Sequence, residues 1–131
     1  MSSWLGLRHV ALNVRDVPSS VAFYSGVLGL KLEWQPNADN AYLTSGQDNL
    51  ALHQVDPGTQ AEGSAQRLDH IGFVVGRPED VDKWAERVRG MGIHLEKEPK
   101  THRDGARSFY FRDPDQNLIQ ILYHPPISDP L

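Results

Sequence analysis

The chain has 131 residues, 39% hydrophobic and 23% charged, which is the composition of a globular domain and not of a disordered segment. A net charge of −4 provides no basic face for nucleic acid. The absence of cysteine excludes disulfides, thiolate metal sites and a cysteine nucleophile, so a bound metal must take nitrogen and oxygen donors, and the six histidines become the residues to explain.

No apolar run approaches the ~20 residues of a transmembrane helix. Arg8, His9 and Asn13 interrupt the apolar N-terminal stretch, which argues against a signal peptide and predicts cytoplasmic residence. Leu7 to Val14 alternates with period two and predicts a strand, with Val10, Leu12 and Val14 on one face and His9 and Ala11 on the other. A helix follows from Pro18, where the missing N–H costs nothing, and carries Val17, Val21, Tyr24 and Leu28 at helical spacing up to a stop at Gly29. Strands are predicted over Leu30–Trp34, Ala41–Thr44 and Leu50–Val55, separated by turn residues at Asn37 to Asn40 and at Ser45-Gly46.

Residues 56–66 are rich in Gly, Ser, Ala, Gln and Pro and read as a linker. The pattern then repeats. Leu68 to Val75 alternates again, with Ile71, Phe73 and Val75 opposite His70 and Gly72. A helix from Pro78 carries an apolar stripe of Val81, Trp84, Ala85, Val88 and Met91, and Gly90 and Gly92 end it. Strands follow over Ile93–Lys97, Arg107–Phe111 and Leu118–Tyr123, and the tail from His124-Pro125-Pro126 is expected to fray. The reading is one α+β domain over 1–131. It comprises a first βαβββ module over 1–55, the linker over 56–66, a second βαβββ module over 67–124 and a tail over 125–131. The two modules are expected to form a curved mixed sheet around a cavity, with the helices outside.

The repeat pairs His9 with His70, each beside a small residue, Ala11 or Gly72, that leaves space next to the imidazole. On the fourth strands, Gln120 lies between Ile119 and Ile121 and points away from the helix-packed face, and His53 does the same opposite Leu50 and Leu52. The separations from His9 to His53 and from His70 to Gln120 differ by six residues, which a loop insertion accounts for, so His53 is matched with Gln120. Three imidazoles and an amide converging on one point suit a borderline divalent ion such as Zn, Ni, Mn, Co or Fe. His94, His102 and His124 have weaker claims on function.

These segments resemble the vicinal oxygen chelate superfamily, which includes glyoxalase I, bleomycin resistance proteins, fosfomycin resistance enzymes and extradiol dioxygenases. The resemblance is carried by Arg8-His9-Val10-Ala11-Leu12-Asn13-Val14, Asp16 through Phe23-Tyr24 to Val27-Leu28-Gly29-Leu30, and Leu68-Asp69-His70-Ile71-Gly72-Phe73. Phe109-Tyr110-Phe111-Arg112-Asp113-Pro114-Asp115 and Asn117-Leu118-Ile119-Gln120 complete it. It implies a divalent metal on His9, His70 and residue 120, with His53 as a fourth ligand, a small-molecule substrate and a homodimer. It also implies a glutamate where this chain has Gln120. A neutral amide is no general base, which weighs against dioxygenase and carboxylate-dependent glyoxalase chemistry and leaves His53 as the candidate catalytic base, imidazole being the side chain suited to proton transfer near neutrality. In glutathione-dependent glyoxalases an arginine stands near the end of the first strand, and here that place holds Asn13. Two readings stand: a metal-dependent lyase, isomerase or dioxygenase-like enzyme on a small oxygenated substrate, and a non-catalytic protein that sequesters a small molecule.

Overall fold

Two βαβββ modules follow one another in the computed structural model, which describes residues 5–56, 58 and 68–128. The described residues fall into two compact units on either side of residues 59–67. Most of the stretch read as a linker, 56–66, lies outside the described residues.

The first unit runs β1 (His9–Val14), α1 (Val17–Gly26), β2 (Lys31–Asn37), β3 (Asn40–Thr44) and β4 (Asn49–Gln54), with sheet order β1-β4-β3-β2. β1 pairs with β4 in parallel, and the other pairs are antiparallel. The Asp16 carboxylate caps α1 by accepting the Ser19 N–H at 3.0 Å and the Ser19 hydroxyl, which satisfies a donor that has no partner within the helix. At the far end Gly29 adopts φ 74°, and Leu30 N–H closes onto the Tyr24 carbonyl at 3.0 Å. α1 buries Val17, Ser20 and Tyr24 against one sheet face, where Leu12, Val14, Ala41, Leu43, Leu50 and Leu52 form the core. Gln54 ties the end of β4 to the β1–α1 turn. Its amide oxygen accepts Val17 N–H at 2.9 Å, and its nitrogen donates to the Arg15 carbonyl at 2.6 Å and the Val55 carbonyl at 2.8 Å.

The second unit repeats the plan as β5 (Ile71–Val74), α2 (Pro78–Gly90), β6 (Leu95–Thr101), β7 (Arg107–Arg112) and β8 (Leu118–Tyr123), with order β5-β8-β7-β6. Val81, Ala85 and Val88 of α2 pack on Leu95, Phe109, Phe111, Ile119 and Ile121. The stripe on α2 is narrower than predicted. Met91 is 47% exposed, and Trp84 is only half-buried, with the Arg87 guanidinium 5.7 Å above its ring. Asp113 organises the β7–β8 turn by accepting the N–H groups of Asp115 and Asn117 at 2.9 and 2.8 Å and the Asn117 side-chain amide at 2.9 Å.

β2 and β6 extend further than their apolar patterns predict, each carrying a proline, Pro36 or Pro99. Both are edge strands whose pairing shifts register near the proline, and there the missing N–H costs no ladder bond. β5 starts later than predicted, so His70 lies just before the strand and not within it. The start of the predicted frayed tail is ordered instead. Pro125–Ser128 forms a short helix, α3, and the Ser128 hydroxyl accepts His124 N–H at 3.0 Å and donates to the Val75 carbonyl at 2.7 Å.

Candidate functional site

Alternation places His9, Ala11 and Asn13 of β1 on the sheet face opposite α1, together with Asn49, Ala51 and His53 of β4 and Asn40 and Tyr42 of β3. In the second unit the same face carries Gly72 of β5, Gln120 of β8 and Tyr110 of β7, with His70 at its lip. The registers correct the predicted correspondence of His53 with Gln120. Gly72 pairs with Gln120, whereas Ala11, the residue matching Gly72, pairs with Ala51. The counterpart of Gln120 is therefore Ala51, and His53 lies one pleat further along, opposite Asn13. His9 is level with Asn49, so His53 is four residues beyond it, about 13 Å of extended strand. The structure does not bring His9 and His53 together. Among the described residues no three His, Asp or Glu side chains gather into a cluster.

Each of the three histidines is anchored through Nδ1. His9 Nδ1 lies 2.9 Å from Asn49 Oδ1, and Asn49 Nδ2 donates to Glu33 Oε1 at 3.4 Å. That donation turns the asparagine oxygen toward the imidazole, so Nδ1 carries the proton and Nε2 presents a lone pair. The same logic holds at His53, whose Nδ1 meets Asn40 Oδ1 at 2.6 Å while Asn40 Nδ2 donates to Asn37 Oδ1 at 3.0 Å. His70 Nδ1 meets the Asp69 carboxylate at 2.6 Å, and an ionised carboxylate only accepts. All three Nε2 atoms are thus available to bind a cation or accept a proton, in the orientation that anchoring partners give to metal-ligating histidines. The adjacent Asp69 was visible in the sequence, but Asn40 and Asn49 become recognisable only once strand pairing is known.

The second unit brings three of the site's groups together. Gln120, 9% exposed, donates from Nε2 to the Tyr110 hydroxyl at 2.9 Å. The Tyr110 ring meets the His70 imidazole edge to face, with centroids 5.6 Å apart and planes at 86°. The space above Gly72 is taken up by Gln120, whose Oε1 lies 3.2 Å from where a β-carbon at residue 72 would stand. The small residue beside His70 therefore accommodates the amide. In the first unit Tyr42 holds the place of Tyr110, opposite Ala51, and stacks instead on Trp34, with centroids 5.1 Å apart. His53 meets the edge of Tyr42 at 6.0 Å. His94 is exposed, His102 lies 3.3 Å from the Ser108 hydroxyl in a turn, and His124 supplies backbone contacts to α3.

A model of the Glyoxalase/Bleomycin resistance protein/Dioxygenase superfamily matches residues 6–121. The chain belongs to this superfamily. Glutathione transferase FosA of Serratia marcescens is 32% identical over 115 residues, covering 88% of this chain and 78% of its own length. Metallothiol transferase FosB of Bacillus licheniformis is 27% identical over 118 residues, covering 89% of this chain and 74% of its own. Lactoylglutathione lyase from Agrobacterium tumefaciens shares the superfamily fold with a TM-score of 0.77 at 22% identity, covering 93% of this chain and 96% of its own. No helix among the described residues is long and apolar enough to cross a membrane.

Proposed function

We propose that the protein is a divalent-metal-dependent enzyme acting on a small oxygenated organic molecule, with His70 and Gln120 of the second module as metal ligands and the anchored His9 as a candidate imidazole donor on the first. The observation that carries this reading is the pairing of an Nδ1-anchored His70 with a Gln120 amide gripped at its nitrogen end by Tyr110. An imidazole and an amide thus contact the same tyrosine, and together they offer a nitrogen and an oxygen donor of the kind that suits Zn, Ni, Mn, Co or Fe. The imidazole and amide donors are neutral, so they would leave a bound dication its full charge, which would favour a substrate offering anionic or strongly polarised vicinal oxygens. The metal would supply Lewis-acid polarisation of those oxygens. Asp69 holds the His70 tautomer, and Tyr110 holds the amide. His53 stands outside this ligand set because of its register, and its free Nε2 makes it the candidate proton acceptor on the first module's sheet face. The names of the two transferase relatives favour group transfer to a small molecule as the reaction class. Homodimerisation and cytoplasmic residence belong to the same proposal, and light scattering in solution tests the first.

A second reading, metal-independent sequestration of a planar molecule, is favoured by the Trp34 indole, which stacks on Tyr42 and is 59% exposed. Metal analysis of tag-free protein, with melting curves in Zn, Ni, Mn, Co and Fe(II), separates the two. A ligand at about 100 times its Kd adds ~2.7 kcal/mol, which raises Tm by roughly 10 °C in a chain of this size. Bound metal or such a shift supports the enzyme. Neither, together with tight binding of an aromatic compound in the presence of a chelator, supports sequestration and overturns it.

A further inference from the structure

We infer that Tyr110 is a positioning residue for Gln120, and that it fixes which end of the side-chain amide faces the ligand side of the second module. This rests on the proposed role of Gln120 as a metal ligand. An amide differs from a carboxylate in having two unlike ends of nearly equal size. Only the oxygen can bind a cation, and a half-turn about the last side-chain torsion replaces it with an NH2 group that repels one. A glutamate needs no such control, because its two oxygens are equivalent. A glutamine ligand therefore requires a partner that a glutamate ligand does not.

Three contacts supply that control. The Tyr110 hydroxyl accepts Gln120 Nε2–H at 2.9 Å, which occupies the nitrogen end. The oxygen end is left over Gly72, where only hydrogen is present on the α-carbon. The Tyr110 ring is itself held edge-on against His70, so the imidazole, the phenol and the amide are fixed relative to one another. The two modules provide an internal comparison. Tyr42 stands at the same register position as Tyr110, but its cross-strand neighbour is Ala51, and its ring stacks on Trp34. The tyrosine is common to both modules, whereas the amide and its hydrogen bond to tyrosine occur only in the second.

The test is a double-mutant cycle of Tyr110→Phe and Gln120→Glu, with Tyr42→Phe as control, read by Mn2+ and Co2+ titration and by NMR of the metal-free protein. Tyr110→Phe keeps the ring against His70 and removes only the hydroxyl. It is expected to weaken metal binding about tenfold in the Gln120 background, the usual scale for a group that orients a ligand. In the Gln120→Glu background the same change is expected to alter binding by less than about twofold, because no orientation remains to be lost. Tyr42→Phe leaves the affinity unchanged. A merely structural role for the hydroxyl moves both backgrounds equally, and that result overturns the inference.

The NMR arm needs no metal. The Gln120 side-chain NH2 is expected to show contacts to the Tyr110 ring and slow exchange, and to lose its protection in Tyr110→Phe. A freely rotating Gln120 amide in the unaltered protein overturns the inference even if metal binds. A held amide in a protein that binds no metal supports the positioning role and instead removes the proposed metal function.

Discussion

Gly72 and Gln120 face each other across the parallel pair β5–β8, and the amide oxygen of Gln120 lies 3.2 Å from the point where a β-carbon on residue 72 would stand. The backbone at Gly72 is ordinary extended chain, so the glycine serves space and not conformation. Gly72→Ala pushes the amide off its position by a few tenths of an ångström and strains its bond to Tyr110. The expected cost is about 1 kcal/mol of stability, together with weaker metal binding. Gly26→Ala, at the end of α1 where a β-carbon meets nothing within 4 Å, is expected to be neutral or to stabilise by up to ~1 kcal/mol. Urea denaturation of both variants checks the opposite signs.

Asp69→Asn separates the anchor of His70 from the fold. The Asp69 side chain is 88% exposed, so its replacement leaves stability within about 0.5 kcal/mol of the unaltered protein. An asparagine can turn either end to Nδ1 and no longer enforces the tautomer with Nε2 unprotonated. Metal affinity is expected to fall by about tenfold or more, measured by calorimetric titration.

Gln54→Ala removes three side-chain hydrogen bonds, two of which bind β4 to the β1–α1 turn. The partly buried Val17 N–H loses its side-chain acceptor and the Arg15 carbonyl loses one donor, an expected cost of ~1–3 kcal/mol. The denaturation midpoint should shift with an unchanged denaturant slope.

Arg107 donates from Nε to Asp82 at 3.0 Å and from Nη2 at 2.6 Å, joining β7 to α2. These hydrogen bonds, aided by the opposite charge and opposed by burial, hold the Asp82 carboxyl below its ordinary 3.8. A carboxyl depressed in the folded state contributes stability above its unfolded value and loses it as pH falls through the folded value. Asp82→Asn should therefore lower stability at pH 7, by less than ~1 kcal/mol for a half-exposed pair, and the gap should close as pH drops below 3.8. Denaturation curves at pH 7 and pH 3 measure it.

The fold was legible because both halves carry the same signals. His9 opens one alternating strand and His70 immediately precedes the other, Pro18 and Pro78 stand at the starts of the helices, and the predicted β8 range agrees with the observed one. The position of the fourth strand relative to the first was not legible. Residues 51 and 53 share a face, and period-two alternation cannot detect a shift of two residues. Only the ladder resolves that shift, since the turns before β4 and β8 differ in length and in their ordering carboxylates, Asp48 and Asp113. The grip of Tyr110 on Gln120 was hidden for the same reason, because cross-strand neighbours are set by register. The candidate residues His9, His70 and Gln120 could be singled out in the sequence, while the register position of His53 and the contacts of Tyr110 and the anchoring asparagines awaited the sheet.

The most direct measurement is a Co2+ titration of tag-free protein alongside His9→Ala, His70→Ala and His53→Ala, followed by calorimetry and the visible spectrum of the bound ion. The expected result is a bound ion in the unaltered protein, at least a tenfold loss of affinity in His70→Ala, and a change of less than about twofold in His53→Ala, with His9→Ala reporting whether the first module contributes a donor. No bound ion, or binding that depends on His53 and ignores His70, contradicts the account.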